Sequence, residues 1–260
     1  MQTKNYMTFQ EQIIYEVIKD TKTSFSTMDI CALFPELKKQ RINELLLSLK
    51  QKGYINQLKK GTYEINQLKT NIELFKEALS IYSGYISFLS ALRYYNLIDY
   101  EPTTVFVSTI NKSKELTNNS AVFKYINQKR NYSDYVSKDG IFVSSLEKTI
   151  FDCFYKPQYS GNYSVITKAI FDSCKNIDWN NLKKIYEKHA SPRQFQITGY
   201  ILELLKKRTN CEIPKNTIDF FKFKKKSIVK LINNNTKSIY IKEWLLQDNL
   251  GEREILSWWF

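Results

Sequence analysis

Carboxylates and a lysine are all that a metal-dependent nuclease needs, and one stretch of this chain supplies Asp134, Asp139, Glu147 and Lys148. Their spacing fits no compact nuclease signature, which leaves cleavage as the weakest of the functions considered. Lys148 and Asp152 stand four residues apart, the separation at which two side chains meet on one helix face, so an ion pair is the simpler expectation. Ser87, Ser90, Ser144 and Ser145 read as caps or small packing residues rather than nucleophiles. The single histidine, His189, cannot assemble a histidine-rich metal site, and it lies near an expected helix C-terminus, where a partly charged imidazole is favourable. Cys31, Cys153, Cys174 and Cys211 have no short pair spacing, so neither a zinc knuckle nor a disulfide framework is expected, and four free thiols in a reducing compartment fit best. GxxxxGK, GxGxxG, HExxH and GxSxG are all missing from the sequence. A binding protein without metal or cofactor is expected, not an enzyme.

The chain has 260 residues, and its 39 Lys and Arg against 26 Asp and Glu give a net charge of +13. That length allows two or three small domains, and 43% hydrophobic with 15% aromatic residues excludes a disordered chain. The charge fits an anionic partner, although a lysine-rich composition alone gives the same total, so its location decides. The opening MQTKNYMTFQEQ lacks an apolar run, and no stretch approaches the roughly 18–20 apolar residues needed to span a bilayer. A cytoplasmic location and no membrane partner are expected.

Phe9, Ile13, Ile14, Val17 and Ile18 recur at helical spacing and predict a first helix buried along that stripe. Thr21–Ser26 reads as a loop, Thr27 as the cap of a helix over Met28–Leu33, and Ile42, Leu45, Leu46 and Leu49 as the buried side of a third. After Gly53, two short apolar-alternating runs around Lys59-Lys60-Gly61 predict a hairpin with Tyr63 and Ile65 on one face. Three helices and a basic-tipped hairpin in this order describe a winged helix-turn-helix over residues 1–70. Its third helix would present Gln40, Asn43, Glu44, Leu47 and Gln51, flanked by Lys39 and Arg41, to the major groove of double-stranded DNA. Lys59 and Lys60 at the wing tip would reach a neighbouring phosphate or the minor groove. Residues 1–70 hold eleven Lys or Arg against seven Asp or Glu, so affinity from one copy should be limited and sensitive to salt. Winged helices also dock proteins, which is the alternative at this point.

Residues 71–205 alternate helix and strand signals. Helices are expected over 71–83 and after Gly84, with Tyr85, Phe88, Leu89 and Leu92 in register. Strands are expected at Thr104–Ser108, Val122–Ile126, Tyr132–Val136 and Ile141–Val143, with Asn111–Ser120 a loop. Ser144 with Glu147 suggests a capping box for a helix over Leu146–Phe154, and Ser191-Pro192-Arg193-Gln194 begins a long helix. The fold class expected is α+β: the winged helix, then a mixed α/β domain with several helices and a small, mostly antiparallel sheet. From Lys206 to Lys242 there are eleven Lys or Arg against two Asp or Glu, and Lys222, Lys224, Lys225 and Lys226 interleave with aromatics as a nucleic-acid surface would. Operator DNA, RNA or an acidic protein face are the partners considered for this basic patch. Residues 206–260, ending in an aromatic cluster, are expected to pack on the second domain.

Several of these segments, in order, resemble the AbiEi antitoxin family of the AbiE abortive-infection systems. They are Lys60-Gly61-Thr62-Tyr63, Tyr85-Ile86-Ser87-Phe88-Leu89-Ser90-Ala91-Leu92, Tyr95-Asn96-Leu97-Ile98, Val105-Phe106-Val107-Ser108-Thr109 and Gly199-Tyr200-Ile201-Leu202-Glu203. The most specific is Gly140-Ile141-Phe142-Val143-Ser144-Ser145-Leu146-Glu147-Lys148-Thr149-Ile150-Phe151-Asp152-Cys153, with Pro157 and Gly161 beyond it. The resemblance implies a repressor that binds its own promoter DNA through the N-terminal winged helix. It also implies a C-terminal region that neutralises a nucleotidyltransferase-like toxin in a type IV arrangement, where a stable complex is not required. Lys148 and Asp152, in this family-like position, are expected to belong to the surface needed for antitoxicity.

Overall fold

Thr8 and Glu11 cap the first helix, α1 (Phe9–Ile18), reciprocally: the Glu11 N–H donates to the Thr8 hydroxyl and the Glu11 carboxylate accepts from the Thr8 N–H. The computed structural model describes residues 7–19, 24–65, 71–100, 102–117, 121–234 and 236–260. The chain divides into two units, Met1–Lys69 and Thr70–Phe260. The buried line of α1 is Glu11, Ile14 and Ile18, whereas Phe9 is 78% exposed and Ile13 and Val17 also face outward. The expected stripe is therefore turned. A carboxylate takes an inward position because Lys52 meets Glu11 there at 2.6 Å.

Phe25–Ser26 forms β1, and Ser26 rather than Thr27 caps α2 (Thr27–Leu33), because Asp29 stands three residues on and closes a second reciprocal cap. Residues 21–23 of the expected loop lie outside the described ones. Then come α3 (Lys39–Gln51), β2 (Ile55–Lys59) and β3 (Thr62–Ile65). The strands pair antiparallel in the order β1-β3-β2, with Phe25 and Tyr63 in the core beside Ile30, Ile42, Leu46 and Leu49.

Glu11 makes this unit sensitive to acid. Burial alone would push its carboxyl up, but hydrogen bonds from Lys52, Ser48 and Thr8 overcome that and hold it at about 2. A depressed carboxyl stabilises the folded state fully above its unfolded value near 4.5, and that contribution disappears as pH falls toward 2. Lowering pH through this window should cost the first unit on the order of 2 kcal/mol, read by urea titration. Glu11→Gln should flatten that dependence; an unchanged slope would rule out the pairing.

The second unit opens with α4 (Asn71–Ile81), β4 (Tyr85–Ile86) and α5 (Phe88–Tyr94), then β5 (Thr104–Thr109), β6 (Lys114–Thr117), β7 (Val122–Asn127), β8 (Tyr135–Lys138) and β9 (Ile141–Ser144). These strands form one six-stranded sheet, β6-β7-β5-β4-β9-β8. Three of its five pairings, β6/β7, β4/β5 and β8/β9, are antiparallel, as expected for most of the sheet, while β5/β7 and β4/β9 are parallel. β4, which the sequence reads as helix, lies at the centre beside β5 and β9, between the two edge hairpins. Gly84 admits it, since a Cβ there would lie 2.3 Å from the Ser108 carbonyl oxygen. β6 likewise occupies part of the segment expected to be a loop.

Alternation along β5 sends Val105 and Val107 to a core shared with Phe75 and Ala78 of α4, and Phe106 to the opposite core. That second core is filled by α6 (Leu146–Tyr155), α7 (Tyr163–Ser173), α8 (Trp179–His189) and α9 (Pro192–Arg208). Ser145, not Ser144, caps α6, because Ser144 is still in β9. Ser191 and Gln194 cap α9 reciprocally with Pro192 in the first turn, as expected.

The remaining elements are α10 (Lys215–Phe223), β10 (Val229–Lys230), β11 (Ile239–Ile241), β12 (Leu246–Asp248) and the single turn α11 (Glu252–Ile255). The expected boundary at 205 falls inside α9, and Leu205 shares one core with Phe221, Trp244, Leu246 and Leu256. Residues 206–260 thus complete the second unit from within. Among the described residues no helix is long and apolar enough to cross a membrane.

Candidate nucleic-acid interface

The period of α3 decides what it shows. Ile42, Leu45, Leu46 and Leu49 are buried, leaving Lys39, Gln40, Arg41, Asn43, Glu44, Leu47 and Gln51 exposed. Among the described residues no side chain caps the N-terminus of α3 at Lys38, so its first amides lack the usual intrachain acceptor. Arg41 is engaged: its guanidinium donates to Gln10 at 2.7 and 3.2 Å and to Glu44 at 3.1 Å, which ties it to α1. Lys39, Gln40 and Asn43 have no side-chain partner among the described residues. Leu47, 52% exposed, offers an apolar contact on the same face.

The hairpin folds back with Ile55 opposite Ile65 and Gln57 opposite Tyr63; a bulge between Gln57 and Lys59 then turns the strand at its tip. Gly61 takes φ +76° in that turn, a conformation that leaves Lys59 and Lys60 exposed at the end. Lys50 of α3 donates to Gln57 at 2.8 Å, fixing the helix against the hairpin. The first unit therefore carries an uncapped helix end, a polar helix face and a basic hairpin tip, the groups that phosphates and base edges need.

The sequence-derived residues of the second unit are placed differently. Lys148 and Asp152 are both 0% exposed, so they are not surface residues. They pair one turn apart in α6, and the Lys148 ammonium also donates to the Tyr85 hydroxyl at 3.2 Å and lies over the Phe151 ring. The helix face they share turns toward β4 in the sheet, which the sequence hid because β4 was read as helix. Burial raises the Asp152 carboxyl, with Lys148 opposing. Glu147 accepts from the Asp178 N–H at 2.9 Å and from Asn181, bridging α6 to the start of α8. Asp139 accepts from Tyr94, and Asp134 lies 3.8 Å from His189. The carboxylates considered for metal chemistry are thus spread apart, and among the described residues no three His, Cys, Asp or Glu are grouped for an ion. His189 does end α8, but burial pushes its imidazole down, with Lys148 and Lys188 adding to the effect. The four serines cap or pack: Ser90 accepts from Phe106 N–H, Ser87 from Ser108, Ser144 bonds Thr149, and Ser145 caps α6.

Nor do the four lysines of the basic patch act together. Lys222 pairs with Glu203 at 2.6 Å and covers the Trp244 ring, and Lys225 donates to the Glu243 carbonyl. Lys224 and Lys226 are exposed without a partner among the described residues, beside Phe223 at 85% exposure. A 460 Å³ cavity lined by Tyr155, Tyr163, Arg193 and Leu231 is mainly apolar, and Arg193 is occupied by the Lys230 and Leu231 carbonyls.

No family model and no curated protein matches this chain. Among solved structures the fold is similar to that of the RV2827C protein from Mycobacterium tuberculosis. The TM-score is 0.52 at 12% identity, over 91% of this chain and 89% of that one. At that identity the likeness shows the fold alone.

Sequence reasoning missed Glu11–Lys52, although Thr8-Phe9-Gln10-Glu11 carries the signature of a reciprocal cap. It also missed Glu203, which gathers Lys222, Lys207 and the Trp244 indole N–H; nothing local marks that role.

Proposed function

We infer that this chain is an antitoxin and transcriptional autorepressor, with a winged helix-turn-helix that binds promoter DNA and a second unit that neutralises a nucleotidyltransferase-like toxin. The observation that carries the DNA half is the exposed polar face of α3, where Gln40 and Asn43 have no side-chain partner among the described residues, in one unit with the Lys59–Lys60 tip. Asparagine and glutamine pair with adenine edges in the major groove, and the lysines neutralise phosphates. The toxin half is supported by the resemblance in Tyr85–Leu92 and Gly140–Cys153, and rests on that alone.

A gel shift on the upstream promoter tests the first half. Asn43→Ala should weaken specific binding roughly tenfold or more while leaving binding to random duplex unchanged. Lys59→Gln with Lys60→Gln should weaken both equally and reduce the salt slope by about 2. Equal loss on both duplexes for Asn43→Ala would remove the recognition role. Co-expression with the neighbouring gene, scoring growth rescue, tests the second half. A regulator whose second unit holds RNA or another protein is the alternative, favoured by exposed Phe223 at the end of α10 next to Lys224, which has no partner among the described residues.

A further inference from the structure

Cys174 follows the last turn of α7, and Cys211 lies in the turn between α9 and α10. They are 37 positions apart in sequence, yet their sulfur atoms are 2.8 Å apart, about 0.8 Å beyond the ~2.05 Å covalent bond. All four cysteines are free thiols, as expected, but their spacing in the sequence gives no sign that these two meet. Both are nearly buried, at 7% and 6% exposure, but Lys175, Asn176, Asn210 and Glu212 beside them are exposed, so the pair sits just below the surface.

The surroundings distinguish the two thiols. Cys211 donates its S–H to the Cys174 sulfur. That bond holds Cys174 down; burial opposes it, and the Glu212 N–H and Lys175 reinforce it. The same bond, with burial, pushes Cys211 up. Cys153, by contrast, is buried and pushed up to about 12, and Cys31 belongs to the other unit.

We propose that Cys174 and Cys211 form a redox site at which hydrogen peroxide, or a hydroperoxide of similar size, makes an intramolecular disulfide fastening the end of α7 to the α9–α10 turn. The Cys174 thiolate attacks one peroxide oxygen; the O–O bond breaks, hydroxide leaves, and a sulfenic acid forms. Cys211, losing its proton, attacks that sulfur; the S–S bond forms, the S–O bond breaks, and the oxygen leaves as water. In sum, two thiols are oxidised to one disulfide and one peroxide is reduced to two waters. The clamp would anchor the base of α10, the helix that carries Lys222.

The test titrates the full-length, reduced protein with hydrogen peroxide, then denatures it, blocks the free thiols and measures intact mass. The thiol count should fall from four to two, and peptide mapping should find one link, Cys174 to Cys211, with Cys31 and Cys153 blocked. The thermal midpoint of the second unit should rise by roughly 5–10 °C and return on treatment with dithiothreitol. Cys211→Ser should instead accumulate Cys174 sulfenic acid, trapped by dimedone, without the rise. Four thiols surviving, sulfinic acid on wild-type Cys174, or a link through Cys31 or Cys153 would overturn the assignment. Because the wild-type thiol count needs no variant, a poorly folding serine substitution leaves it decisive.

Discussion

Asp152→Ala should destabilise the second unit by about 3–5 kcal/mol, measured by urea unfolding of the full chain with tryptophan fluorescence. The Lys148 ammonium is fully buried, and Asp152 and the Tyr85 hydroxyl are its polar partners. Removing the carboxylate leaves a cation in the core with a phenol that cannot balance its charge. A solvated pair of the same spacing would lose less than about 1 kcal/mol, so magnitude alone separates burial from surface. Replacing both residues by apolar ones, Lys148→Met with Asp152→Leu, should recover most of the loss, because the desolvation of two ions is removed together. If Asp152→Ala costs under 1 kcal/mol, the buried geometry is wrong. The same experiment governs how antitoxicity is read: lost neutralisation in an alanine variant of this pair reports folding before any toxin contact.

The second large effect is expected at Trp244. Its indole is fully buried, donates to Glu203 at 2.7 Å, and fills the space opened by Gly199 on α9. Trp244→Ala should cost about 3–5 kcal/mol, since the lost contact area and the residual cavity add. Gly199→Ala attacks the same contact from the other side: its Cβ would stand 2.2 Å from the indole ring and 2.7 Å from the Phe221 Cβ. Overpacking of that kind costs about 1–3 kcal/mol. The two substitutions should not add, because the smaller side chain makes room for the new methyl. Additivity within about 0.3 kcal/mol, by urea titration of the double variant, would mean that the two positions do not touch.

Local signals in the sequence were sound where a helix buries one clean stripe. Ile42, Leu45, Leu46 and Leu49 gave α3 and its outward face, and Ser191 to Gln194 gave the start of α9. They failed where a partner distant in sequence decides. Tyr85–Ile86 is a strand because Ser108 and Val107 run alongside it, although Phe88, Leu89 and Leu92 extend the pattern of a helix backward through it. Glu11 is inside because Lys52 is there, and period alone favours Ile13 and Val17. The candidate interface was visible as exposed residue types, but the engagement of Arg41 by Gln10 across 31 positions was not. Lys148 and Asp152 were seen as a pair; their depth was not, because it depends on the sheet that covers α6.

The shared core of Leu205, Trp244 and Leu256 also sets an order of events during synthesis. Met1–Lys69 has every residue of its own core once it clears the ribosome. Thr70–Phe260 cannot close until Trp244, Ile255 and Leu256 emerge, which at 5–20 residues per second is roughly 10–40 s later. Throughout that interval a finished N-terminal unit is tethered to an unfinished, basic nascent segment.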